Sequence, residues 1–292
     1  KYNFKLIKNQ IKAFIIIFTP ALLIMFQPDA GSALIYLSFF FVLNREGLTL
    51  NYILVGAATI IVFILTIYFG PEPVIITLFT LITLFIFVIF KKAGIRFLRF
   101  NWYKVLLVYM LFGAFVFGTN YSYNNLLAFH QKDRFDILLG IKTDNKGIGY
   151  NSYQSELTIS SGGLKGKGFL NGSQSYLDYL PEKHTDFIFT LFSEEFGFVG
   201  SIFLLVIYAL IIYRIIVVGN LSRNSFAKLY CYGFAAAFFV YVSVNMSMVL
   251  GLLPIVGAPL PIMSYGGSAM LSTMIGLGIV MSCRIYSKDE DS

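Results

Sequence analysis

Charge is scarce in this sequence. Only 13% of its 292 residues are Asp, Glu, Lys or Arg, against 57% apolar and 17% aromatic residues. Soluble domains carry about 25% charged and about 45–50% apolar residues, so a water-soluble enzyme, a disordered chain and a disulfide scaffold are all excluded. Cysteine is nearly missing too. Cys231 and Cys283 both lie in apolar runs and read as small buried hydrophobes, with no disulfide or metal site inferred from them. No internal repeat is visible, and no signal-peptide pattern precedes the first apolar run. The chain opens on Lys1 rather than Met and is expected to begin partway through a longer protein.

What is abundant is apolar sequence in runs of membrane length. A spanning helix needs roughly 20 mainly apolar residues, with a range of about 17–25. Eight segments qualify as candidates: Ile11 to Phe26, Ser32 to Leu43, Tyr52 to Phe69, Val74 to Phe90, Val105 to Thr119, Asp186 to Tyr213, Leu229 to Leu250 and Gly266 to Cys283. The second is short and must borrow from its flanks. In lipid every backbone amide must be bonded within its own segment, so these spans are expected to be helices. The expected architecture is all-α, a polytopic transmembrane bundle. Five spans fill residues 1–119, a large extracytoplasmic loop covers 120–185, and three spans with a short tail complete 186–292.

Lys and Arg set the orientation. With the amino terminus inside and each span switching sides, fifteen of the 22 basic residues fall in inside segments. The short outside turns Gln27 to Gly31, Gly70 to Pro73 and Gly251 to Tyr265 hold none. The remaining seven lie in the 120–185 stretch, too long for the charge rule to apply. Both ends of the chain are therefore expected in the cytoplasm. The net charge of +7 is mostly membrane anchoring, and no nucleic-acid partner is inferred.

Polar groups at membrane depth are costly, so the exceptions carry information. Tyr121 to Gly149 reads as polar and irregular, and from Tyr150 onward as loop. Gly162-Gly163-Leu164-Lys165-Gly166-Lys167-Gly168 would let backbone N–H groups approach an anion, with Lys165 and Lys167 adding charge for a phosphate or diphosphate. A flexible loop with solvated lysines is the plainer alternative. No Ser or Thr follows the lysines as a nucleotide-binding loop requires.

Leu180-Pro181-Glu182-Lys183-His184-Thr185-Asp186-Phe187 runs straight into an apolar helix. Thr185 or Asp186 could cap that helix. Equally, a carboxylate at the outer mouth of a membrane helix could serve as a general base, with burial raising its pKa and the helix terminus lowering it. His184 reads as a second acid–base group or a hydrogen-bond partner. Eight residues beyond Asp186 is about 80° around a helix and nine about 180°. Glu194 is thus expected nearer the face of Asp186, and Glu195 is assigned to pairing with another helix.

Gln27-Pro28-Asp29-Ala30-Gly31 forms a tight turn between spans. Leu253-Pro254-Ile255-Val256-Gly257-Ala258-Pro259-Leu260-Pro261, followed by Ser264-Tyr265-Gly266-Gly267-Ser268, breaks the helical pattern at membrane depth. Broken backbone is tolerated there only when buried in protein or lining a cavity. Asn245, in the preceding span, is packing glue or a ligand contact.

At these residues the sequence resembles the shape, elongation, division and sporulation (SEDS) family of membrane glycosyltransferases, nearer its elongation branch. The resemblance rests on the Gln27–Gly31 turn, Gln154-Ser155 leading into Ser161–Gly168, Tyr179–Phe189, Glu194-Glu195-Phe196-Gly197, and Val249–Pro254 through Ser264–Ser268. It implies that Asp186 is the essential aspartate and general base. The implied reaction is lipid II polymerisation: the 4-hydroxyl of one lipid-linked sugar attacks the anomeric carbon of another and releases polyprenyl diphosphate.

Lys165, Lys167, His184, Thr185, Glu182, Gln154 and Ser264 are the implied substrate or diphosphate contacts. A divalent cation, Mg or Mn, is expected beside the lysines, and no organic cofactor. A class B penicillin-binding protein is the implied partner, and the bacterial cytoplasmic membrane the implied location. The chain departs from the family pattern twice. It lacks the helices that precede the segment matching Ile11, and it holds three spans from Tyr52 to Thr119 where the pattern needs one, a probable two-helix insertion. Two rival readings stand beside this one: a lipid-linked sugar flippase without bond-making chemistry, and a scaffold that only recruits the cross-linking enzyme.

Overall fold

The computed structural model describes residues 6–27, 29–93, 95–127, 129–142, 149–173 and 184–289. Helices account for nearly all of the regular structure among them. The chain divides into two compact units, one of residues 1–49 with 143–292 and the other of residues 50–142. These boundaries differ from the expected divisions after residues 119 and 185.

The first unit begins with α1 (Ile7–Met25), which carries Pro20 inside it. Three short pieces follow: α2 (Ala30–Ile35), a single tight turn at Tyr36–Ser38, and α3 (Phe39–Arg45). Asp29 caps α2, its Oδ1 accepting from Ser32 N at 2.9 Å. The same unit contains α8 (Tyr150–Gly162), α9 (Ile188–Leu221), α10 (Ser225–Val249) and α11 (Gly267–Asp289). The second unit contains α4 (Leu50–Phe69), α5 (Pro71–Ala93), α6 (Ile95–Tyr121), a wide turn at Ser122–Leu126 and α7 (Phe129–Leu138). Val62, Val74 and Val116 form its buried centre.

Seven of the described helices are long and apolar enough to cross a membrane. The eighth expected span is not one of them: Gly31–Arg45 is apolar but short, and it is broken by the turn at Tyr36–Ser38. All seven turn apolar side chains outward, among them Ile16, Val55, Phe85, Met110, Phe203, Phe226 and Leu271. A helix that is hydrophobic all round is either buried in a large core or set in a membrane, and these apolar faces are not buried in protein.

Between helices in lipid there is little hydrophobic driving force, and close packing of small residues substitutes for it. Half of the spanning window of α10 is buried, making it the most enclosed of the seven. Gly219 of α9 lets that helix approach Cys231 and Tyr232 of α10, and Gly276 of α11 sits so close to the Phe234 ring that a Cβ would overlap it.

The stretch expected as a loop is largely helical. α8 occupies the residues around Gln154 and Ser155, and α7 lies inside Tyr121 to Gly149. α8 has no apolar stripe, which is why its sequence reads as loop. Its small side chains are what make it a helix here: Ser155, Thr158 and Gly162 are buried, and Gly162 lies directly against Ser193 and Glu194 of α9.

Candidate functional site

The segment preceding α9 is fixed by its main-chain carbonyls. Tyr265 N donates to His184 O at 2.8 Å, Ser264 Oγ to Thr185 O at 2.7 Å, and Asn245 Nδ2 to Asp186 O at 2.8 Å. Three consecutive carbonyls are thus held by the non-helical segment and the span before it. Asn245 is fully buried, and its Nδ2 also donates to Ala258 O at 2.7 Å. Both of its partners are carbonyls, which can only accept, so the amide orientation is determined. Its Oδ1 is buried with no hydrogen-bond partner. Ser264 is also buried, and its Oγ accepts from Leu260 N at 2.6 Å.

These ties leave neither Thr185 nor Asp186 in the capping role. The N-cap of α9 is Phe187, with no side-chain cap. Asp186 lies half-buried in the turn just ahead, and a Cβ built on Gly257 would stand 3.6 Å from its Oδ2. His184 is exposed and lines two cavities. One, of about 420 Å³, is bounded by Ser264, Tyr265 and Met270. The other, of about 460 Å³, is bounded by Phe169, Leu170, Phe192, Glu195 and Phe196.

The glycine-lysine segment does something other than cradle an anion. α9 is broken at Gly197, where φ is 67° and ψ is −165°. In an unbroken helix Phe198 N would bond to Glu194 O, and Val199 N to Glu195 O. Here Phe198 N donates to Gly163 O at 2.9 Å and Val199 N to Leu164 O at 3.2 Å. The two released carbonyls are taken up in turn: Glu194 O accepts from Lys167 N and Glu195 O from Gly168 N, both at 3.0 Å. The loop has exchanged places with one turn of helix, leaving none of these four groups unpaired. A Cβ on Gly197 would overlap Gly166 N, and one on Gly166 would overlap Glu195 O. Glycine at both positions is what permits this contact.

The charges follow the backbone. Glu194 is fully buried, and its Oε1 accepts from Lys167 Nζ at 2.6 Å, Ser173 Oγ at 2.8 Å and Ser173 N at 3.0 Å. The expected relation of Glu194 to the face of Asp186 is therefore replaced by pairing with Lys167. The angular reasoning fails because Asp186 precedes the helix. Both lysines are exposed residues, but the Lys167 ammonium is bonded to Glu194. Gln154 is half-buried on α8, with its carbonyl accepting from Thr158 Oγ1 at 2.6 Å. Glu182 lies outside the described residues.

Two further contacts give a role to residues that the sequence motifs contain without one. Ser155 Oγ bonds to Thr190 Oγ1 at 2.7 Å and donates to Val249 O at 2.8 Å, so α8, α9 and the end of α10 meet at one hydroxyl. The only sequence signal for this is small polar residues in otherwise apolar surroundings. Gly31, from the Gln27–Gly31 turn, lies against Val256, where a Cβ would stand 2.5 Å from the carbonyl oxygen. Among the described residues no group of three or more His, Cys, Asp or Glu could hold a metal ion.

The fold and this site define a multi-pass helical membrane protein in which Asn245, Ser264 and Tyr265 hold one turn ahead of a broken span. A family model for FtsW, RodA and SpoVE, described as cell cycle proteins, matches residues 75–289, and the chain belongs to that family. It is 36% identical over 283 residues to the peptidoglycan glycosyltransferase MrdB of Escherichia coli K12, covering 97% of this chain and 62% of that protein. It is 31% identical over 302 residues to the peptidoglycan glycosyltransferase RodA of Treponema pallidum, covering 95% of this chain and 68% of that one. A chain in a solved structure described as "Structural coordination of polymerization and crosslinking by a peptidoglycan synthase complex" shares the fold, with a TM-score of 0.61 and 24% identity, covering 99% of this chain and 64% of the other. This chain thus spans less than two thirds of the length of the Escherichia coli relative.

Proposed function

We propose that this chain is the catalytic part of a peptidoglycan glycosyltransferase that polymerises lipid II during cell elongation. The observation that carries the reading is the His184–Asp186 segment, whose three carbonyls are held while His184 faces two cavities. The family relatives, both called peptidoglycan glycosyltransferases, supply the reaction class.

In this reading Asp186 accepts the proton of the sugar 4-hydroxyl as its oxygen bonds to the anomeric carbon of the second lipid-linked sugar. The bond from that carbon to the diphosphate breaks, and polyprenyl diphosphate leaves with the electron pair. Diphosphate is already a good leaving group, so one base with a cationic contact suffices and the paired carboxylates of glycosidases are not needed. Lys165 is the diphosphate contact in preference to Lys167, whose ammonium serves Glu194. Asn245 and Ser264 act as positioning residues through the backbone, and no step is routed through a cation. The aromatic cavity beside His184 suits the isoprenoid chain.

The distribution of Lys and Arg supports an outer-face site with both ends of the chain inside, which requires α2 and α3 together to cross as an eighth span. A class B penicillin-binding protein is the partner that would cross-link the strand.

The test is polymerisation of purified lipid II by the full-length protein with its partner. Asp186→Asn should lower turnover by about 10²–10⁴-fold, the usual share of a general base, while the unfolding temperature stays unchanged. Polymer formed at the normal rate refutes the assignment. Lipid II moved between leaflets without polymer would establish the flippase.

A further inference from the structure

A second polar feature lies at the far end of α9 and α10, away from the His184–Asp186 segment. Arg45 ends α3, with its guanidinium carbon 3.6 Å from the centre of the Tyr232 ring. Its Nη2 donates to Asn220 Oδ1 at 2.9 Å, and the Tyr232 hydroxyl donates to the same oxygen. The guanidinium is thus fixed by an aromatic face and by an acceptor at its edge. One of its five N–H donors is accounted for by Asn220, and the residue remains exposed. No ion pair joins it to any described carboxylate, the neighbouring Glu46 included.

Beside this arginine a groove of about 320 Å³ opens between α3, α9 and α10. Phe41, Ile212 and Ile216 form its walls, and Ala235 and Ala236 give it depth. Along α10 it runs from Tyr232 to Phe239, seven residues or roughly 10 Å at about 1.5 Å per residue. An oriented guanidinium at one end of an apolar trench matches a ligand with a phosphate at one end and hydrocarbon behind it.

We infer that this groove is a site for one anionic glycerophospholipid, its phosphate on Arg45 and an acyl chain against Ala236. The charge is complementary. Arg223 and Lys228 lie in the turn joining α9 and α10 or just beyond it, and Arg214 lies two turns back on α9. By the distribution of Lys and Arg this end faces the cytoplasm, where anionic lipids concentrate and attract juxtamembrane basic residues. A planar guanidinium fork suits two phosphate oxygens as an ammonium cannot. A free phosphate would leave the trench unfilled, and an apolar helix from another chain would leave the arginine without a counter-charge. The inference does not depend on Asp186 or on the reaction.

Native mass spectrometry of the full protein in detergent tests it, with phosphatidylglycerol and phosphatidylcholine of identical acyl chains as probes. One phosphatidylglycerol should bind at least tenfold more tightly than phosphatidylcholine. Arg45→Ala should abolish that preference, and Arg45→Lys should keep only part of it. Ala236→Phe, which fills the trench, should weaken both lipids while the unfolding temperature holds. Equal affinity for the two lipids, as an apolar helix site would give, overturns the inference. So does a preference that survives Arg45→Ala, or phosphatidylglycerol binding unchanged in Ala236→Phe. Displacement of phosphatidylglycerol by equimolar glycerol phosphate would also overturn it, since the headgroup alone would then be the ligand.

Discussion

Replacing Lys167 by methionine removes the ammonium that lies 2.6 Å from Glu194 Oε1 and keeps most of the stem. Glu194 is fully buried, and its charge loses its nearest donor while Ser173 and, at 3.5 Å, the Ser161 hydroxyl remain. Breaking a buried pair by deleting one partner costs about 3–5 kcal/mol. The side chain of Lys167 is 31% exposed and Ser173 remains, which puts the expected loss at the lower end, about 3 kcal/mol. Glu194→Gln keeps an acceptor for Ser173 and frees a lysine that can reach water, so it should cost only about 1 kcal/mol. The double variant should be more stable than Lys167→Met alone, with a coupling of about 1–2 kcal/mol. Unfolding of the detergent-solubilised variants gives the ranking, with lipid II polymerisation measured alongside. The reasoning is refuted if Lys167→Met unfolds like the parent while polymerisation collapses, because the ammonium would then be serving substrate.

Three other outcomes are expected. Asn245→Leu strips the carbonyls of Asp186 and Ala258 of their donor, at about 1–3 kcal/mol for each group left unpaired; turnover should fall more than KM rises, and equal changes in both would count against a positioning role. Gly197→Ala should lift the 163–168 segment from α9, seen as loss of hydrogen-exchange protection at Phe198 and Val199; protection equal to the parent refutes the exchanged-bond geometry. In the second unit Lys142 bonds to Asp133 at 2.7 Å and lies 3.3 Å from Asp136, and these bonds hold its pKa above the ordinary lysine value. A raised lysine pKa stabilises the fold below the unfolded value near 10.5 and loses that contribution as pH rises through the folded one. Lys142→Met should accordingly lower the unfolding temperature at neutral pH and differ little from the parent in strong alkali.

The spans were legible because membrane helices announce themselves by length and apolarity, and seven of the eight expected segments coincide with long helices. The exception, Ser32 to Leu43, is too short to cross as one helix and is instead built from α2, the tight turn and α3 in succession. The motifs were legible as well: the Gln27–Gly31 turn, Gln154-Ser155, the glycine-lysine segment and Ser264-Tyr265 all belong to the unit that holds Asp186. Their roles were not. Glycines beside lysines suit an anion or a close backbone contact equally, and only the position of Gly197 opposite Gly166 decides between them. α8 escaped notice because its helicity comes from Ser155, Thr158 and Gly162 packed against its neighbours, which local propensity does not register. Asn245 could be flagged as a polar residue at membrane depth, but its two acceptors, Asp186 O and Ala258 O, lie 59 and 13 positions away.

The interruption of α9 at Gly197 bears on how the chain is made. Left alone in hydrocarbon, that span would arrive with two amide protons and two carbonyl oxygens unsatisfied, each a penalty of several kcal/mol. Residues 163–168 supply all four missing bonds, and they leave the ribosome before the span does. Synthesis order therefore delivers the patch ahead of the gap it must close, and the first third of α9 can settle into a bilayer fully bonded only with that earlier stretch already waiting beside it.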